Sequence, residues 1–86
     1  MPTLATVAGM AILIYYDDHE PAHFHVIAAD FTARIALADL SVIDAEGRLR
    51  ATDLKRLRAW AAAHQAQLWD NWLRARRGER VQKIED

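Results

Sequence analysis

Cysteine is absent from this 86-residue chain, and proline and glycine are scarce, at two and three residues. Without cysteine there is no disulfide and no thiolate metal site, and redox chemistry says nothing about compartment. Glycines so few and so far apart cannot form a phosphate-cradling loop. The only serine, Ser41, supports no nucleophile motif. No apolar run approaches the roughly 20 residues that a membrane helix needs. The opening Met1-Pro2-Thr3 carries neither a basic nor an apolar leader segment, so no signal peptide is expected and the expected location is cytoplasmic. Net charge is small, −1, but it is sorted along the chain. Up to Gly47 the only base is Arg34, facing Asp17, Asp18, Glu20, Asp30, Asp39, Asp44 and Glu46. From Arg48 onward bases outnumber acids about two to one. The sorting admits a nucleic-acid face at Arg74, Arg76, Arg77 and Arg80, with Lys83 beside them and Arg48, Arg50, Lys55, Arg56 and Arg58 nearer the middle. It equally admits two halves that attract each other, within one fold or head to tail in a dimer.

What the chain does have is pattern. Residues 9–16 read as a strand apolar on both faces, and residues 23–29 and 31–38 as two more, with a tight turn at Asp30. Leu40 to Ile43 fits a short fourth strand, and Asp44-Ala45-Glu46-Gly47 a turn. The remainder is helical, capped by Thr52 or Asp53 and stopped by Gly78 after two arginines. About 25 helical residues is long for a small domain, so one helix or two broken near His64 are both expected. The expected fold is therefore α+β. A three- or four-stranded antiparallel meander (1–47) is followed by one long helix or two consecutive helices on one face (51–78) and a short tail (79–86), all in a single domain, 1–86.

On a helical wheel Leu54, Leu57, Ala61, His64, Leu68, Trp72 and Ala75 form the stripe that should lie on the sheet. A second stripe collects Ala62, Ala66, Trp69 and Leu73. Exposed Trp and Leu are unusual on a monomer. Either Val81 and Ile84 in the tail cover this stripe, or another chain does, making it a candidate interface.

Chemistry is concentrated in Asp17-Asp18-His19-Glu20-Pro21-Ala22-His23-Phe24-His25, which holds three of the four histidines. His23 and His25 are at strand spacing and project from one face. If Phe24 and Val26 pack inward, Arg34 of the next strand projects beside them. His23, His25 and Arg34 are then candidate catalytic or anion-binding groups. Asp18, His19, His23 and His25 are candidate ligands for a divalent transition metal, zinc, nickel or copper. The plainer alternative is structural: Asp18 or His19 ties the loop through backbone hydrogen bonds. His64, on an apolar stripe, reads as a core histidine before it reads as a further ligand.

The motif Asp18-His19-x-Pro21-x-His23-Phe24-His25 follows Met1-Pro2-Thr3 and a strand ending Tyr15-Tyr16. It precedes Trp60-x-x-x-His64, Asn71-Trp72, Gly78 and Lys83-Ile84-Glu85. Together these resemble a small bacterial family known as domain of unknown function 4160, over nearly the whole chain. Members often carry two prolines before His-Phe-His, where this chain has Ala22 in the second place. The family is similar to toxin–antitoxin-like small proteins, and its members are often encoded beside a second small domain, of unknown function 2442.

The resemblance implies an accessory protein of a toxin–antitoxin-like two-protein module. It would act by protein–protein association, as a homo-oligomer or with a small partner protein encoded alongside. The rival expectation is a histidine-based or metal-dependent nuclease or hydrolase acting on RNA or another phosphate ester. The two differ at the histidines, which an enzyme needs open to a pocket and a structural role leaves closed and bonded.

Overall fold

The computed structural model describes residues 3–85. Met1, Pro2 and Asp86, the ends of the expected sheet and tail regions, lie outside the described residues. Five strands form one antiparallel meander in chain order: β1 (Thr3–Val7), β2 (Met10–Leu13), β3 (His23–Ile27), β4 (Phe31–Ala36) and β5 (Val42–Gly47). Two helices follow, α1 (Ala51–Ala63) and α2 (Gln65–Arg76). The α+β expectation holds, with one strand more than its upper count.

The extra strand is β1, paired to β2 through a two-residue turn at Ala8 and Gly9. Both turn residues have positive φ, 48° and 81°. That geometry matches the twist of a hairpin and explains the glycine. β5 runs through the stretch expected to be a turn. Its polar residues are compatible with an edge strand, because Asp44 and Glu46 project from one face and Asp44 meets Arg34 across the ladder. Gly47 ends it at φ 86°, where an added Cβ would stand 2.9 Å from the Phe31 Cα.

Alternation along the strands sorts the two faces. Ile12, Phe24, Val26, Ala33 and Ile35 pack under the helices against Leu57, Ala61, Leu68, Trp72 and Ala75. The expected helix stripe is thus the buried one, with Leu54 and His64 half-buried at its margin. The opposite face carries Leu13, His25 and Arg34, joined in register across β2, β3 and β4.

The helical region breaks at His64, one of the two arrangements expected. Its Nδ1 bonds the Trp60 carbonyl at 2.8 Å, and its ring stacks on Trp60. The imidazole thus competes for a carbonyl at the end of α1. α1 starts after Arg50, not at Thr52 or Asp53. Asp53 acts from inside the first turn, accepting the Arg50 N–H. Gly78 stops α2 at φ 72°, with the Glu79 N–H closing on Arg74 O, as a left-handed cap does.

The tail runs back toward β1. Buried Asn71 donates to Gln82 O at 2.9 Å and accepts from Gln82 N–H at 2.7 Å. The Ile84 N–H then donates to Leu4 O, and the Ile84 side chain enters the core. This route leaves Trp69 36% and Leu73 49% exposed, beside exposed Ala62 and Ala66.

Candidate metal centre

The loop between β2 and β3 turns back at Asp18. Asp18 Oδ2 accepts the Tyr15 N–H at 2.9 Å while the Asp18 N–H donates to Tyr15 O. This local clamp aims the carboxylate at the start of β3. There His23 and His25 project side by side, with ring centroids 4.9 Å apart. Asp18, His23 and His25 each offer a ligand atom, and those atoms lie within 4.8 Å of one another.

The two imidazoles differ. His25 Nε2 lies 3.0 and 3.2 Å from the two Asp18 oxygens, so without a metal it carries the proton and donates, and a metal taking that nitrogen would displace the proton. His23 Nδ1 lies 2.7 Å from the Pro21 carbonyl, which can only accept, so that nitrogen carries the proton. The Nε2 of a neutral His23 therefore presents a lone pair. It points toward Asp18 Oδ1 at 3.6 Å, and it is buried with no hydrogen-bond partner among the described residues. His23 as a whole is 2% exposed. A lone pair facing a carboxylate in the interior is unfavourable unless something positive sits between them.

Metal bonds of about 2.0–2.1 Å set neighbouring ligand atoms roughly 3.0–3.4 Å apart. The His25–Asp18 pair is already at that spacing, and His23–Asp18, at 3.6 Å, is close to it. The surrounding shell is also of the kind that holds ligands. The Pro21 carbonyl fixes the His23 tautomer, and the Tyr15 N–H fixes Asp18. The Trp72 ring lies 5.4 Å from that of His23, and Tyr15 meets His25 edge-on at 4.5 Å.

Beside His25 the open sheet face forms a groove of about 380 Å³, lined among others by Tyr15, Ile27, Thr32, Arg34, Asp44 and Glu46. Arg34 does stand beside His25, as expected, but its guanidinium is held by Asp44. Nε bonds both carboxylate oxygens at 3.0 Å, and Nη2 makes a further short contact. These bonds hold the Asp44 carboxyl below its usual range and raise the Arg34 pKa further.

The other candidates fall elsewhere. His19 is exposed and outside the cluster, because the loop that aims Asp18 inward turns its neighbour out. His64 lies at the helix junction. Arg74 pairs with Asp70 at 2.8 Å, Arg77 with Glu79 at 2.8 Å, and Arg76 approaches Glu20 at 3.7 Å and covers Trp72. Arg80 is exposed near them. Sequence reasoning missed Tyr15 and the Pro21 carbonyl as supports. The spacing of Tyr15 three residues before an Asp was the available signal for the first.

Among known proteins, a family described as a domain of unknown function (DUF4160) matches residues 9–73, most of the chain and all three cluster residues. No curated protein and no solved structure matches it.

Proposed function

The chain belongs to the DUF4160 family, whose description names no reaction, and from that premise we propose that it binds a divalent transition metal through Asp18, His23 and His25, in the manner of a metal-dependent hydrolase. The observation that carries this is the buried, unpartnered His23 Nε2 aimed at a carboxylate. Two imidazoles and one carboxylate suit zinc, nickel or copper. Three protein ligands leave a coordination position open, which separates catalytic from structural zinc sites. Of the three, His25 also lines the groove on the open sheet face, so a substrate lying there would approach a bound metal from the His25 side. A metal there would lower the pKa of a bound water to about 7 and polarise an oxygen of a substrate.

Calorimetric titration of the untagged protein with Zn²⁺, Ni²⁺ and Cu²⁺ tests the reading. One ion per chain is expected, and excess metal at 100 times Kd should add about 2.7 kcal/mol of stability. His25→Ala should abolish both effects. No binding heat and an unmoved melting temperature with all three ions would remove the reading.

A second reading rests on a separate observation, the exposed Trp69 and Leu73 beside Ala62 and Ala66. It makes the domain an associating member of a toxin–antitoxin-like two-protein module, pairing with itself or with a small neighbour-encoded protein. Sedimentation should show a mass above that of one chain, for the protein alone or with that neighbour. Trp69→Asp should return it to the monomer. A wild-type monomer that also ignores the neighbour contradicts this reading.

A further inference from the structure

We infer that the groove beside His25 binds the side chain of a lysine or arginine, presented by a peptide whose backbone oxygen reaches the metal. The inference rests on the metal centre proposed above and names its ligand class.

Three observations carry it. First, among the described residues that line the groove there is no lysine or arginine free of a partner. Arg34, the base that lines it, is occupied by Asp44. The Glu46 carboxylate stands on the far side with no ion pair or hydrogen bond among the described residues. A metal held by a single carboxylate would make the His25 end net positive and leave the Glu46 end negative. A ligand matched to that field is dipolar, with an oxygen donor at one end and a cation at the other. A phosphate ester or RNA would suit the metal but would run its charges past Asp44 and Glu46.

Second, one corner of the groove is apolar. Ile27 is 37% exposed, one of the few large hydrophobic side chains left to water. It shares a register row with Thr32 and Glu46, next to the row of His25, Arg34 and Asp44. Lysine and arginine are the residues whose charged heads sit on a methylene stem that can lie along such a surface.

Third, the length fits. Between the Cα atoms of His25 and Glu46 the path crosses two strand spacings of about 4.8 Å and two residues of about 3.4 Å each, roughly 12 Å in all, with the metal at the His25 side chain and the Glu46 side chain reaching in from the other end. A metal bond, an extended lysine from carbonyl oxygen to ammonium, and one hydrogen bond span about the same distance.

Nuclear magnetic resonance titration of the full chain, with and without Zn²⁺, tests this with three probes. They are N-acetyl-lysine methylamide, its uncharged norleucine counterpart and phenyl phosphate. With Zn²⁺ bound, the lysine probe should shift the amides of Ile27, Thr32 and Glu46 and bind at least about tenfold more tightly than the norleucine probe. Phenyl phosphate should not displace it from the Glu46 end. Glu46→Gln should erase the difference between lysine and norleucine while leaving zinc affinity unchanged. Glu85→Gln, remote from the groove, should leave both as they are.

If zinc binds and lysine has no advantage, or phosphate is preferred, the inference is wrong and the metal reading stands. If zinc does not bind, the metal reading fails. The groove is then judged on the zinc-free titration, where equal binding of lysine and norleucine overturns the inference as well.

Discussion

Replacing His23 with leucine is expected to leave the metal-free protein at least as stable as the wild type, while zinc affinity falls on the order of 100-fold or more. The affinity loss follows because even outer partners of metal ligands cost 10–100-fold when removed. The stability result is the more diagnostic half. The wild type buries an imidazole nitrogen with no partner. A stranded buried polar atom costs about 1–3 kcal/mol, which an apolar side chain of similar bulk does not incur. What leucine loses is the Nδ1–H bond to the Pro21 carbonyl. Pro21 lies at the surface, where water can take that bond over. Urea unfolding in a chelator checks the first half and calorimetry the second. A loss of 1–3 kcal/mol in chelator, with zinc binding untouched, would make His23 a structural residue and end the metal reading.

Trp72→Ala should come close to unfolding the domain. Trp72 is 2% exposed and lies at the meeting of α2, the core and the His23 ring. Emptying such a site costs about 3–5 kcal/mol in lost burial and cavity. A chain of this size has only about 4–13 kcal/mol in total. The melting temperature should drop on the order of 20 °C, since each kcal/mol moves a domain of this size by about 4–8 °C. Trp72→Phe, which fills most of the space, should lose much less. Excess zinc should restore part of the alanine variant's loss if the centre still assembles. A drop of only a few degrees for Trp72→Ala would mean the tryptophan is not the keystone between helix and site.

Much of the site could be read from the sequence because strand periodicity is strict. His23 and His25 had to share a face, and Arg34 had to join them once Phe24 and Ile35 faced inward. Asp18 was legible as a backbone tie, and the structure sets its carboxylate beside the two imidazoles, where it remains a candidate ligand. The guanidinium's partner was not legible. Asp44 sat in a stretch whose Asp, Glu and Gly composition reads as a turn, and only the β4 pairing makes it strand. β1 escaped because five residues of mixed burial carry little periodic signal, although Ala8-Gly9 before a long apolar run marked the hairpin. Separating His19 from Asp18 required the direction of a loop, which spacing does not encode. The break at His64 was legible as a place but not as a certainty, because alanines on its N-terminal side favour helix and only the imidazole's bond to Trp60 O competes.

The tail has a consequence for how this sheet meets other chains. The Ile84 N–H occupies Leu4 O on β1, so that border is partly closed by the segment that follows α2. β5 forms the opposite border, with strand β4 on one side only. A stack of sheets that grows into a fibre needs two open borders per molecule, one to receive and one to offer. A molecule with one border guarded can accept a single neighbour along β5 and then stops. Asp44 and Glu46, repeated on an identical neighbour, would repel at that seam. The short segment after Gly78 thereby acts as a terminator, and cutting it away would expose a second border and permit growth where the intact chain permits at most a pair.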